Sequence, residues 1–134
     1  MTASIVYSGE LRCEATHLQS HHIIETDAPT DNKGKGQKFS PTDLLCVALG
    51  TCIITTMAIK AGDMGVNIDG AKLEITKHMA ADPRRVAQVD VKINLPALQE
   101  AKDKIILERV GHTCPVQRSL HPDVIINLMY AWGN

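Results

Sequence analysis

The sequence predicts a single domain of mixed strands and helices covering residues 1–134. Three observations carry that prediction. Short apolar stretches broken by turn residues fill the first third. A strong helix start then opens the uncharged run Leu44–Ile59. After it come an alternating strand hairpin, two further helices and a last strand. A chain of 134 residues is long enough to bury a core of its own, and it shows no internal repeat.

Composition narrows the class. Hydrophobic residues make up 44% and charged residues 22%, as in ordinary soluble globular proteins. Aromatics are only 3%, so Ile, Val, Leu, Ala and Met must build the core. The net charge is -1 and the two signs are interspersed, with no basic patch or aromatic platform, which argues against a nucleic-acid partner. The first residues, Met1 to Tyr7, contain no basic segment followed by an apolar stretch. A secretory signal is therefore not expected, and a cytoplasmic location is. In such a reducing compartment the four cysteines read as core residues, metal ligands or redox thiols rather than a disulfide frame.

The elements follow in order. Ile5–Tyr7 is a short apolar strand closed by a Gly9-Glu10 turn. Leu11–Leu18 alternates, with Leu11, Cys13 and Ala15 on one side and Arg12, Glu14 and Thr16 on the other. His22–Thr26 is a third strand around the β-branched pair Ile23 and Ile24. Their short spacing implies an antiparallel meander. Residues 27–38 are rich in Pro, Gly and Asn and predict a mobile, solvated loop. Ser40-Pro41-Thr42-Asp43 is a helix start, with Ser40 as N-cap, Pro41 first in the helix and Asp43 as the acidic partner three residues on. The helix should run to Lys60.

That helix has almost no polar face. Its uncharged run is shorter than the roughly 20 residues a bilayer needs and contains three threonines and a glycine, so a buried central helix is preferred to a membrane span. At roughly 30 Å it is as long as a small domain is wide. A second subunit would complete its cover, which implies an obligate homodimer. Val66–Ala80 and Arg84–Leu95 form a hairpin about Asp82-Pro83, with Val89, Val91 and Ile93 alternating against Asp90, Lys92 and Asn94. A helix is expected from Pro96 to Arg109, with Leu98, Ile105 and Ile106 inward. A short helix follows over Cys114–Leu120, then a strand over Val124–Tyr130.

Two cysteines stand where a thiol can react. Thr113 is expected to cap the short helix and to place Cys114 at its first position, with Pro115 next. Unpaired N–H groups and the positive end of the dipole favour a thiolate there, and His112 is adjacent. The bland alternative is a small residue filling a gap. Cys52 sits mid-helix, where nothing local lowers its pKa and burial would raise it, so by itself it reads as a core cysteine. Cys46 and Cys13 read as packing residues. His21 and His22, adjacent on a strand, would face opposite ways and cannot easily share an ion, and His112 with Cys114 offers two ligands where a closed zinc site needs four. Neither metal nor cofactor is expected. Gly34-Lys35-Gly36 lacks phosphate-loop spacing.

The segment Gly34-Lys35-Gly36, Ser40-Pro41-Thr42-Asp43-Leu44-Leu45 and Ala48-Leu49-Gly50-Thr51-Cys52 resembles the first cysteine motif of the OsmC/Ohr family. Thr113-Cys114-Pro115-Val116 with Ser119-Leu120 resembles the second. The resemblance covers nearly the whole chain. It implies an α+β fold, antiparallel sheets around two central helices, in an intertwined homodimer with active sites at the interface. It also implies thiol-dependent reduction of organic hydroperoxides, in which Cys52 would be the peroxidatic thiol and Cys114 the resolving one. A dithiol, a lipoyl group in some relatives, would restore both. Peroxidase members carry a Glu directly after the motif proline, ten residues before the first cysteine, which orients an arginine beside the thiolate. Here that position is Thr42, with Asp43 next. One residue on a helix turns a side chain by about 100°, so Asp43 suits the cap rather than the missing role. Arg12 is the candidate arginine. The other readings are a non-catalytic stress protein or carrier of an apolar ligand, and, more weakly, a metal-binding or redox-sensing accessory protein.

Overall fold

The computed structural model describes all 134 residues. The chain is α+β and divides into two compact units, Met1–Leu45 and Cys46–Asn134.

The first unit is the expected meander. Strands β1 (Ala3–Gly9), β2 (Arg12–His17) and β3 (Ile23–Asp27) pair antiparallel in that order. Glu10 and Leu11 both adopt positive φ, the mirror-image turn whose twist suits a two-residue hairpin. The following loop differs from expectation: it is tied down rather than loose. It makes a single 3-10 turn at Thr30–Asn32 and is closed by Gly34 N–H to the Pro29 carbonyl (2.9 Å) and Gly36 N–H to the Ala28 carbonyl (3.2 Å). Gly34 is required by contact, since a Cβ there would sit 1.7 Å from the Ala28 carbonyl oxygen. No apolar residue of this unit is buried; Ile5, Tyr7 and Phe39 are 69%, 63% and 58% exposed.

Helix α1 (Pro41–Met64) leaves the first unit and enters the second. Its start is the expected reciprocal cap: Asp43 N–H donates to Ser40 Oγ (3.0 Å), and Ser40 N–H donates to the Asp43 carboxylate (2.9 Å). The helix runs a turn beyond Lys60, because nothing stops it before Gly65, which takes a positive φ. Expected to be covered all round, it buries one face only: Cys46, Leu49, Gly50, Ile53, Met57 and Ala61 follow the i, i+3, i+4 rhythm. Ile59 on another side is exposed.

In the second unit, β4 (Lys72–Ala80) and β5 (Arg85–Leu95) form the hairpin, and β6 (Ile125–Trp132) lies parallel to β5 on its far side. Central β5 is the most apolar strand, with Val86, Val89, Val91, Ile93 and Leu95 buried. Gly50 lets α1 approach the sheet, for a Cβ there would lie 2.5 Å from Ile75 Cδ1. Residues 66–71 are not strand as expected: Val66 N–H still caps the helix through the Ala61 carbonyl, and the Asn67 side chain closes a turn on Asp69 N–H.

Helix α2 (Ala101–Gly111) starts five residues later than Pro96 suggested. Leu95 is still paired with Trp132 and its carbonyl still accepts from Gly133 N–H, which holds the following residues extended. The inward face changes accordingly. Ile105 and Ile106 are 50% and 37% exposed, and Leu107 is the buried residue. Helix α3 is Pro115–Ser119, a residue shorter at each end than expected, and β6 runs to Trp132 rather than Tyr130.

Candidate functional site

Cys114 is the N-cap of α3, not its first residue. The residue before a proline is pushed out of the helical region, and Cys114 is extended (φ -66°, ψ 143°) with Pro115 opening the helix. Thr113, expected to be the cap, instead donates its hydroxyl to the Val110 carbonyl at 2.7 Å and so closes α2. His112 also ends α2, and its ring meets Tyr130 edge-on at 6.3 Å rather than serving the thiol. The Cys114 sulfur accepts a hydrogen bond from Gln117 N–H at 3.3 Å.

The expected thiolate at Cys114 is not favoured. Burial pushes this thiol up, since the side chain is 0% exposed. The N–H groups of Gln117 and Val116 pull the other way but do not prevail, and the neighbouring Cys52 side chain adds to the rise. Helix α3 has five residues and little dipole to offer. Gln117 Oε1 is buried with no hydrogen-bond partner.

Cys52 was expected to lie deep. It is partly buried, packed against the core on one side and bordering an open cleft on the other. The cleft has a volume of about 490 Å³ and is lined by Ala48, Thr51, Cys52, Thr55, Thr56, Pro115 and Val116. No charged side chain lines it. Residues 48, 51, 52, 55 and 56 share one helix face by their three-and-four spacing, and the first turn of α3 supplies the opposite wall. The structure thus makes neighbours of the two cysteines singled out in the sequence, although 61 intervening residues separate them. Cys46 is buried in the core, as expected, and Cys13 lies in β2 opposite Tyr7 and Thr26.

Arg12, the candidate arginine, is half-buried in β2 and already paired. Its Nε and Nη2 grip the two carboxylate oxygens of Asp27 at 2.7 and 2.9 Å, and Nη2 also reaches Gln37 Oε1 at 3.2 Å. Asp27 is 1% exposed and accepts a further bond from Gln37 N–H at 3.1 Å. The arginine holds the Asp27 carboxyl down to about 2. Sequence reasoning placed Asp27 in the loop and missed it. The meander register was the available signal: Ala15 opposite Ile24 and Thr16 opposite Ile23 continue to Arg12 opposite Asp27. Thr42 lies at the helix start, its hydroxyl 3.2 Å from Ser40 Oγ, and Asp43 is engaged in the cap.

A sealed sulfur, Cys114, and a partly buried one, Cys52, which borders an apolar cleft, thus lie side by side in an α+β fold. The sequence pattern of OsmC-like proteins matches residues 34–129, a span that includes both cysteine motifs, and the chain belongs to the OsmC-like family. A crystal structure of a protein from Psychrobacter arcticus 273-4, named for osmotic stress induction and a detoxification response, is 46% identical, with a TM-score of 0.94 over 98% of this chain and 96% of that one. The organic hydroperoxide resistance protein OhrB of Bacillus subtilis shares the fold at 17% identity, with a TM-score of 0.72 over 98% of each chain. An OsmC-like protein from Mycoplasma pneumoniae does so at 16% identity and a TM-score of 0.81, covering 98% of this chain and 96% of that one. No functionally curated protein matches the sequence.

Proposed function

We propose that this protein reduces organic hydroperoxides in a stress response, with Cys52 and Cys114 as its redox couple. One observation carries the reading: the accessible thiol borders an apolar cleft while its neighbour is sealed from solvent. The Cys52 thiolate would attack the O–O bond. The released alkoxide takes a proton and leaves as an alcohol, and Cys52 becomes a sulfenic acid. The Cys114 thiol then condenses with it, forming the disulfide and releasing water. A dithiol reduces the disulfide and closes the cycle. On the family resemblance alone, Arg12 is the proposed thiolate-stabilising cation, with Asp27 as the carboxylate that fixes its fork in place of the residue at position 42. The cytoplasm, which keeps thiols reduced, is the proposed location.

The working form is proposed to be a homodimer. Ile5, Tyr7, Phe39, Ile59 and Ile105 are exposed, and the long apolar helix is covered on one face only, which a second copy would correct.

The test is direct. Cumene hydroperoxide added to the reduced protein should oxidise one pair of thiols per chain, seen as a loss of two hydrogens mapped to Cys52 and Cys114. Cys52→Ser should fall to the uncatalysed rate. Both thiols remaining free after excess peroxide would refute the proposal. Arg12→Lys, which loses the two-pronged grip, should lower kcat/KM by about tenfold; an unchanged value removes the arginine from the mechanism. The uncharged cleft favours one other reading, a non-catalytic carrier of an apolar ligand. A co-purified acyl compound in native mass spectra, without peroxide turnover, would select it.

A further inference from the structure

The two sulfurs differ in access, and access decides which of them a reductant can strike. Thiol–disulfide exchange requires a thiolate to approach one sulfur while the other departs. Cys114 is 0% exposed at the start of α3, whereas Cys52 borders the open cleft of about 490 Å³. We infer that a reducing dithiol attacks the Cys52–Cys114 disulfide at Cys52 and expels Cys114; this rests on the redox couple proposed above.

The step balances. The incoming thiolate gives an electron pair to the Cys52 sulfur, and the S–S bond breaks with its pair going to Cys114. The second thiol of the reductant then attacks its own sulfur in the mixed disulfide. It leaves as a cyclic disulfide and releases Cys52 as a thiolate. Two electrons pass to the protein. Gln117 N–H, 3.3 Å from the Cys114 sulfur, receives the departing charge. Burial makes Cys114 the poorer leaving group of the two, so access rather than leaving ability sets the direction; once expelled, its sulfur takes up a proton and no longer reverses the exchange.

The experiment uses the full chain and makes the disulfide with diamide, so that it does not depend on peroxide chemistry. A brief pulse of 2-mercaptoethanol, which cannot cyclise, is stopped with acid, the protein is unfolded and alkylated with excess N-ethylmaleimide in guanidinium chloride, and the peptides are mapped by mass. The expected product carries mercaptoethanol on Cys52 and maleimide on Cys114, in about tenfold excess or more over the reverse. Equal labelling, or mercaptoethanol on Cys114, overturns the inference. Failure of diamide to link the two cysteines overturns both it and the redox couple. A disulfide that forms with diamide but never with hydroperoxide would sink the peroxidase reading alone and leave the order of attack to the labelling.

Discussion

Met1–Leu45 and Cys46–Asn134 each contribute three strands, but they bury very different things. The second unit packs α1 and α2 on its sheet and encloses Leu49, Ile53, Met57, Val91, Ile93 and Leu107. The first encloses no apolar side chain. Its buried residues are Asp27 and Ser40, one held by an ion pair and the other by a helix cap. A three-stranded sheet that buries no apolar side chain is marginal by itself. The lesson is that polar interactions specify the first unit's geometry, while apolar burial supplies the second unit's stability.

The largest effect that tests this contrast lies in the core. Ile53→Ala should lower stability by about 2–5 kcal/mol in urea titrations. Ile5→Ala should cost less than about 0.5 kcal/mol in dilute protein. If a second copy covers the first unit, the Ile5 loss should grow with protein concentration. A concentration-independent loss equal to that of Ile53 would erase the distinction between the units.

Two glycines compare the units at smaller scale. Gly34→Ala drives a Cβ against the Ala28 backbone, which cannot yield, and should cost about 1–3 kcal/mol. Gly50→Ala meets only the flexible end of Ile75 and gains helix propensity of about 1 kcal/mol, so its net effect should stay within about 1 kcal/mol of zero. Thermal melts of both variants decide the ranking. Gln117→Met removes the unpaired buried oxygen of the second unit and should stabilise it by about 1 kcal/mol, read as a higher Tm. A lower Tm would mean that the oxygen is satisfied in solution.

Acid should weaken the ion pair that holds the first unit. Asp27 has its carboxyl depressed to about 2 from an ordinary 3.8. Its contribution is therefore complete above about pH 4 and is lost as pH falls through about 2. Denaturation midpoints measured between pH 5 and pH 2 should decline more in the wild type than in Asp27→Asn. Parallel curves would show that the pair adds no acid sensitivity.

Much of this was legible in the chain. Ser40-Pro41-Thr42-Asp43 specified the start of α1, because capping is a local event among four residues. The alternation around Val89, Val91 and Ile93 specified a half-buried strand, because side chains on a strand reverse with each residue. The two cysteine motifs indicated the family. Local rules misled where a distant group competed with them. Leu95 paired with β6 and delayed α2, which turned Leu107 inward instead of Ile105 and Ile106. Thr113 bonded backward to α2 and left Cys114 as the cap.

The sequence by itself determined where the helices begin, which strands alternate and which two thiols to compare, since these depend on neighbours within a turn or a pleat. Only the tertiary structure decided that Cys114 is the sealed thiol and Cys52 the reachable one, and that Arg12 answers to Asp27. Burial, cross-strand register and the cleft between α1 and α3 arise from contacts between residues far apart in the chain, and those contacts set which sulfur meets solvent and which charge finds a partner.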